Sequence, residues 1–376
     1  MAFKPSKKLD GIEISVIRQW NSKKRKDTID LGIGELPWKA PLELREAGAE
    51  AFMSSNLRYT ENAGLPKLRE LIAEEFGDYI SKNIDEKQVI VTCGVTEALS
   101  ITYGAFLDEG DEVLIPEISF PLYDALAKLN RATPRTFKLN SDFSLCLEDL
   151  ASKVNGKTKL VVINTPSNPT GKILLNRDLG GLADILDRNQ NVHVLSDEIY
   201  SHLYFSDRAP ESIASYTNRF VVVNGLSKRS SSTGARIGWI ISQQEVVDQA
   251  LKLHQYGVTC APTPSQYAAI PVLEGKTKID ESNNRKKLIS NRNIVLSGLK
   301  DIMDINRPEG AFFCFADISR YGKSGEVAQK ILDESNVLVI PGYAFGSAGD
   351  NYIRISYAVE EDKLLKGING IKGALA

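Results

Sequence analysis

From Gln88 to Asn224 the chain alternates between short apolar runs and longer runs with helical spacing. Gln88–Thr92, Glu112–Ile115, Lys159–Ile163, Val192–Ser196 and Phe220–Asn224 read as strands. Thr96–Leu107, Pro121–Leu129 and Asn176–Arg188 read as helices. Such alternation builds a mostly parallel sheet with helices on both faces, so the pattern predicts an α/β fold. In sheets of this kind a ligand binds beyond the carboxyl ends of the strands. The residues that follow each strand are therefore the first candidates for function.

After the first strand comes Cys93-Gly94-Val95-Thr96, a glycine turn entering a helix. Free backbone N–H groups and the helix dipole make such a turn an anion site. After the second comes Phe120-Pro121-Leu122-Tyr123, and after the third Asn164 through Ser167-Asn168-Pro169-Thr170-Gly171. The fourth is followed by Asp197-Glu198-Ile199-Tyr200 and the fifth by Ser227-Lys228. Lys228 opens a loop of hydroxyls that runs to Arg236, and the apolar run Ile237–Ile241 leaves it. Taken alone, that stretch reads as a basic, serine-rich surface loop. At the end of the fifth strand it has company: an anion cradle, an aromatic ring, an amide, and a carboxylate with a phenol. A lysine desolvated in such a place can act as a nucleophile. Together these groups describe a pocket for a flat, phosphorylated aromatic ring that meets an amine.

The flanks read differently. Residues 1–28 form a polar arm in which Val16, Ile17 and Trp20 fall at helical spacing, and Lys23–Lys26 is a solvated basic face. Ile29–Glu35 is a short strand broken by Gly32 and Gly34, which allow either close approach to a ligand or a plain turn. Glu43–Phe52 and Leu65–Asn83 have helical periodicity, with Tyr59 on the loop between them. Lys276–Ile302 is a long charged helix leaving the sheet. Beyond it, strands at Gly310–Ala316 and Tyr352–Ser356 and helices at Gly325–Asn336 and Glu360–Ala374 predict a smaller α+β unit. Arg354 lies inside the apolar strand Tyr352–Ser356. Burying that charge unpaired is costly, so it demands a salt bridge or a bound carboxylate.

A chain of 376 residues is long for one core, so two domains are expected. Residues 1–40 form an arm that belongs with the small domain; 41–279 form the large domain and 280–376 the small one. Lys plus Arg total 46 against 48 for Asp plus Glu, a net charge of -2. That balance offers no electrostatic case for nucleic acid or an anionic membrane. Cys93, Cys146, Cys260 and Cys314 have no metal-ligand spacing and suit a reducing compartment. His193, His202 and His254 are not paired for metal and read as structural or surface residues. No apolar run approaches the about 20 residues of a spanning helix, and no signal peptide is visible. The expected location is the cytoplasm.

In this order, the motifs resemble those of the class I/II, fold-type I aminotransferases that use pyridoxal 5'-phosphate. The resemblance runs from Gly34 to Arg354. Its most specific parts are Ser-Asn-Pro-Thr-Gly at 167–171, Asp-Glu-Ile-Tyr at 197–200, Ser227-Lys228 with Arg236 eight residues on, and Arg354. It implies a mostly parallel seven-stranded sheet in a large domain beside a smaller α+β domain. It implies that Lys228 bonds covalently to the cofactor and then shuttles a proton, and that Asp197 pairs with the pyridine nitrogen. Tyr200 and Asn168 would bond the 3' oxygen, and Phe120 would stack on the ring. Gly94, Val95, Thr96, Ser227 and Arg236 would hold the phosphate. Arg354 would grip the substrate α-carboxylate beside Gly34 and Asn168. Tyr59 would reach the phosphate of a neighbouring subunit, which implies a homodimer with shared active sites.

This chain departs from the family pattern in places. Gly225 stands where the family often has a second phosphate-binding hydroxyl, and Phe120 replaces a more usual tyrosine or tryptophan. Arg229, directly after the lysine, is not diagnostic. Two known dicarboxylate signals are missing: no arginine occurs between Arg236 and Arg285, and Thr96 stands where one branch has lysine. The expected reaction is ping-pong transfer of an α-amino group between an L-amino acid and a 2-oxo acid, with aspartate, aromatic or other neutral donors all open. The alternative is a cystathionine-type carbon–sulfur β-lyase on the same fold. That subgroup tends to carry histidine before Asn-Pro, whereas Ser167 stands here and favours transfer. A regulator that uses this fold as a sensor would carry an N-terminal DNA-binding domain, for which the arm before Gly34 is short.

Overall fold

The computed structural model describes residues 3–54 and 57–376. In the N-terminal arm, β1 (Ile29–Asp30) is a two-residue strand. The main sheet then takes β2 (Val89–Thr92), β3 (Glu112–Pro116), β4 (Thr133–Phe137), β5 (Thr158–Asn164), β6 (His193–Asp197), β7 (Phe220–Gly225) and β8 (Gly238–Ser242). Their spatial order is β2-β8-β7-β6-β5-β3-β4. The pairs β3/β4, β3/β5, β5/β6 and β6/β7 are parallel, whereas β8 is antiparallel to both β2 and β7.

The alternation that announces the sheet is visible in its burial. Phe220 and Val222 face one apolar cluster, and Val221 and Val223 face another. Val161 and Ile163 on β5 join the first cluster, and Leu160 and Val162 the second. Successive side chains of a strand point to opposite faces, so a sheet covered on both sides needs unbroken apolar runs.

Two strands depart from the simple expectation. β8 runs against its neighbours because only the short turns Leu226–Arg229 and Thr233–Ala235 separate it from β7. That connection lacks the long crossover a parallel return requires. β4 is not marked by the sequence pattern, because it is an edge strand carrying Pro134 and largely polar residues. Proline is tolerated there, since an edge strand leaves some N–H positions unpaired.

The helix Lys278–Leu299 leads from the main sheet to the C-terminal part. There β9 (Asp304–Ile305), β10 (Phe313–Asp317), β11 (Val337–Leu338), β12 (Ile340–Pro341) and β13 (Tyr352–Ser356) are laid down. β12, β13, β10 and β9 form an antiparallel sheet in that order, and β11 pairs in parallel with β1. The arm is thus stitched to the C-terminal residues: Trp20 shares their apolar cluster, and its Nε1 donates to the Tyr343 hydroxyl at 3.0 Å. This docking carries Gly32 and Gly34 to the mouth of the main sheet and places Arg354 of β13 behind them.

Candidate active site

A cavity of about 300 Å³ opens at the carboxyl ends of β2, β3, β5, β6 and β7. It is bordered by Gly34, Val95, Thr96, Phe120, Asn168, Asp197, Tyr200, Ser227, Lys228, Arg236 and Arg354. All the residues singled out from the sequence therefore converge, except two. Gly94 lies directly beneath, in the turn that closes the cavity floor. Tyr59 stands apart, 83% exposed on the loop before the helix Pro66–Ile80, and lines no part of this chain's cavity.

Lys228 lies in the one-turn helix Leu226–Arg229. Its neighbours hold that turn rigid: Leu226 is buried, and Arg229 donates to both oxygens of Glu75 at 2.7 and 2.9 Å and to Glu281 at 3.0 Å. Arg229, undiagnostic in the sequence, is thus a structural anchor. Lys228 Nζ projects into the cavity and donates to the Gly34 carbonyl at 2.5 Å. Burial lowers its pKa to about 8; Glu35 opposes this, Arg354 reinforces it, and Asp197 opposes it in turn. An amine so tuned has a usable neutral fraction near physiological pH.

Asp197 ends β6 and is buried. Its Oδ2 accepts from the Tyr123 hydroxyl at 2.8 Å and its Oδ1 from the Ile199 N–H at 3.2 Å. Burial raises the carboxyl to about 6, against the hydrogen bonds from Tyr123 and Ile199 and the charge of Lys228. Tyr123 did not emerge from the sequence as a site residue. It sits three residues past Phe120, and the two rings meet edge to face, 5.9 Å apart. Asn164 binds the Asp197 carbonyl through Nδ2 at 2.8 Å and receives the Asn168 N–H at 2.7 Å, so these two loops are fastened together.

Arg354 is 2% exposed. Its Nη1 donates to Asn168 Oδ1 at 2.9 Å and its Nη2 to the Gly32 carbonyl at 2.6 Å. The guanidinium lies 4.3 Å from the Phe313 ring centre and 4.9 Å from that of Phe345. Burial lowers its pKa to about 10, partly offset by Tyr200 and Asp30, so it stays charged at neutral pH. Of the two fates open to it in the sequence, a salt bridge is not the one realised: among the described residues no carboxylate pairs with it. A buried cation with only neutral partners is poised for an incoming anion. Tyr200 packs edge-on against Phe312 and Phe313 with its hydroxyl at the cavity, and burial raises that phenol's pKa.

The floor is built by close backbone approach. Gly94 has φ of 77°, and a Cβ there would lie 2.6 Å from Arg236 Nη2. The helix Val95–Phe106 starts at this point, and its first two residues, Val95 and Thr96, border the cavity. Arg236 is laid over the turn, donating to the carbonyls of Thr233 at 2.9 Å and Cys93 at 3.3 Å. The absence of a hydroxyl at Gly225 has a steric reason. A Cβ there would meet the Ile237 carbonyl oxygen at 2.7 Å and the Gly238 Cα at 2.8 Å. Glu35 also borders the cavity and accepts from Thr233 Oγ1 at 2.7 Å.

This cradle, facing a buried carboxylate and a lysine at the rim of a mostly parallel seven-stranded sheet, is the architecture of fold-type I pyridoxal-phosphate-dependent transferases. The chain belongs to the family described as "Aminotransferase class I and II", whose profile matches residues 26–371. It is 37% identical to the "Probable aspartate aminotransferase" of Methanocaldococcus jannaschii, over 98% of both chains. It is 33% identical to "Aromatic-amino-acid aminotransferase 2" of Thermococcus litoralis, over 92% of this chain and 91% of that one. The solved aspartate aminotransferase of Thermus thermophilus with maleate superposes with a TM-score of 0.95 at 26% identity, covering all of both chains. The protein is an aminotransferase, and its relatives differ in the donor they are named for.

Proposed function

We propose that the cavity holds pyridoxal 5'-phosphate and that the enzyme moves the α-amino group of an L-amino acid to a 2-oxo acid in two half-reactions. One observation carries this reading: Lys228 and the buried, hydrogen-bonded Asp197 enter the same cavity above the Gly94 turn. The residues suit the group. The Gly94 turn, the helix N-terminus at Val95 and Thr96, Ser227 and Arg236 form a cradle for a dianion. Phe120 offers a face for the ring, and Asn168 and Tyr200 offer polar atoms to an oxygen on it. When bound, the cofactor supplies an electron sink for the carbanion left at the substrate α-carbon.

Asp197 would sit against the ring nitrogen of the bound cofactor, where its negative charge would favour the protonated ring. Arg354, charged and without an acidic partner among the described residues, would orient the substrate through its α-carboxylate. Lys228, with its proton affinity lowered by burial, would hold the cofactor covalently and would be the group placed to move a proton at the substrate α-carbon.

A homodimer is part of this reading. Phe52, Met53, Leu57, Tyr59, Tyr256 and Val258 are exposed. The loop holding Tyr59 is tied to the second group by Asn62 Nδ2, which donates to the Thr259 carbonyl at 2.8 Å. A second copy would cover this apolar surface and bring Tyr59 to its partner's phosphate site. We also assign residues 41–279 to a large domain, and 1–40 with 280–376 to a small one. The cytoplasm is the proposed compartment: the four cysteines are free thiols, and among the described residues no helix is long and apolar enough to cross a membrane.

The deciding experiment is Lys228→Ala. It should abolish both turnover and the visible absorbance of the protein-bound cofactor. Retained transamination would overturn the assignment.

A further inference from the structure

We propose that Glu97 and His254 are positioning residues for the cofactor phosphate. The pair holds the Cys93–Gly94 turn and through it sets how tightly the cradle binds a dianion. The inference rests on the cofactor reading above and goes beyond it, to two residues that do not border the cavity.

The turn is gripped on both sides of Cys93. The Cys93 N–H donates to Glu97 Oε2 at 2.5 Å, and the Cys93 carbonyl accepts from Arg236 Nη2 at 3.3 Å. On the next residue, the Gly94 N–H donates to the Thr92 carbonyl at 2.8 Å, and the Gly94 carbonyl accepts from the Thr92 hydroxyl at 3.1 Å. Val95 and Thr96, the first residues of the helix, follow directly. Their N–H groups have no acceptor within the helix. A dianion seated there depends on such donors, and the turn fixes where they stand.

Glu97 is itself held. It is the third residue of the helix Val95–Phe106, a position from which glutamate commonly reaches back to the N-cap N–H. Here it reaches one residue further, to Cys93. Its other oxygen, Oε1, lies 2.9 Å from Nδ1 of His254, on the helix Gln244–Gly257. A carboxylate only accepts, so Nδ1 donates. His254 is 0% exposed, and its Nε2 has no hydrogen-bond partner among the described residues. Burying an imidazole with one nitrogen unbonded costs free energy. The single bond it does make fixes the carboxylate that fixes the turn. Helix capping alone needs no such histidine. His254 is enclosed by its own chain, so the second copy of the proposed dimer is not needed to form the contact.

The test compares two ligands on the cofactor-free protein: pyridoxal 5'-phosphate and pyridoxal, which lacks the phosphate. Binding of each is followed by its absorbance change. In Glu97→Ala and His254→Leu the Kd for the phosphorylated ligand should rise about tenfold while that for pyridoxal stays unchanged. The ratio of the two affinities should therefore fall by the same factor. His254→Asn should restore most of it, because an asparagine amide can donate from near the place of Nδ1. Glu97→Gln keeps the volume and an acceptor for Cys93, so it should fold where Glu97→Ala does not, with a smaller fall. General damage to the fold would weaken both ligands together. An unmoved ratio in these variants, or equal weakening of both ligands, would overturn the inference and leave the cofactor reading intact. Failure of the unsubstituted protein to bind pyridoxal 5'-phosphate would instead remove the reading itself.

Discussion

The hydroxyl of Tyr123 donates to Oδ2 of Asp197 across 2.8 Å, and both groups are buried. A hydrogen bond to a carboxylate favours its charged form, whereas burial disfavours it. Tyr123 therefore offsets part of the desolvation that raises Asp197 to about 6. In Tyr123→Phe the carboxyl pKa should rise further, because a group that favoured the anion is gone. The acidic limb of the kcat/KM profile should move to higher pH, with a loss of about tenfold near neutrality. An unmoved limb would reduce Tyr123 to a packing role.

Asp197→Asn keeps the shape of the side chain and removes its charge. The cofactor should remain bound, because the Gly94 turn, Arg236 and Lys228 are untouched. The rate should fall by orders of magnitude, because in the proposed role the carboxylate is the charge that would keep the ring nitrogen protonated. Absorbance measures the first quantity and single-turnover kinetics the second. Near-normal rates would contradict the role of Asp197.

Arg354→Lys retains a charge but loses the planar fork that reaches Asn168 and Gly32 together. KM should rise for every donor by about 10- to 100-fold, equivalent to about 1.4 to 3 kcal/mol. The change should not depend on the donor side chain, because the contact proposed for Arg354 is to the shared α-carboxylate. Steady-state kinetics on two unlike donors checks this.

Gly225→Ser would add the hydroxyl that related enzymes often carry, into space already filled by the Ile237 carbonyl and Gly238. Strain of this kind costs about 1–3 kcal/mol. Thermal unfolding of the cofactor-free protein should shift down, without tighter cofactor binding. A gain in affinity at unchanged Tm would mean that the strand pair yields easily.

Lys228 should be reactive at lower pH than the surface lysines. Its pKa of about 8 lies below the usual 10.5, so the neutral amine predominates above about pH 8. Labelling of the cofactor-free protein by an amine reagent, read at Lys228 by mass spectrometry, should show a midpoint near that value. A midpoint near 10 would mean that water reaches the amine freely.

The sequence by itself determined the fold class and most of the lining of the candidate site. A sheet buried on both faces requires unbroken apolar runs, and those runs mark β2, β3, β5, β6 and β7. The residues after these strands must share a rim, which is why Lys228, Asp197, Asn168 and Thr96 could be grouped before any coordinates. Tertiary structure alone decided the rest, because the relevant contacts join distant segments. Tyr123 reaches Asp197 across 74 positions, and Thr233 reaches Glu35 across 198. No periodicity records such pairs. Antiparallel β8, the polar edge strand β4 and the steric need for Gly225 likewise depend on which backbone lies alongside. Arg354 shows both sides. Its apolar strand announced a buried charge, but only the docked arm, bringing the Gly32 carbonyl to its guanidinium, showed that the cation has no acidic partner within the described chain.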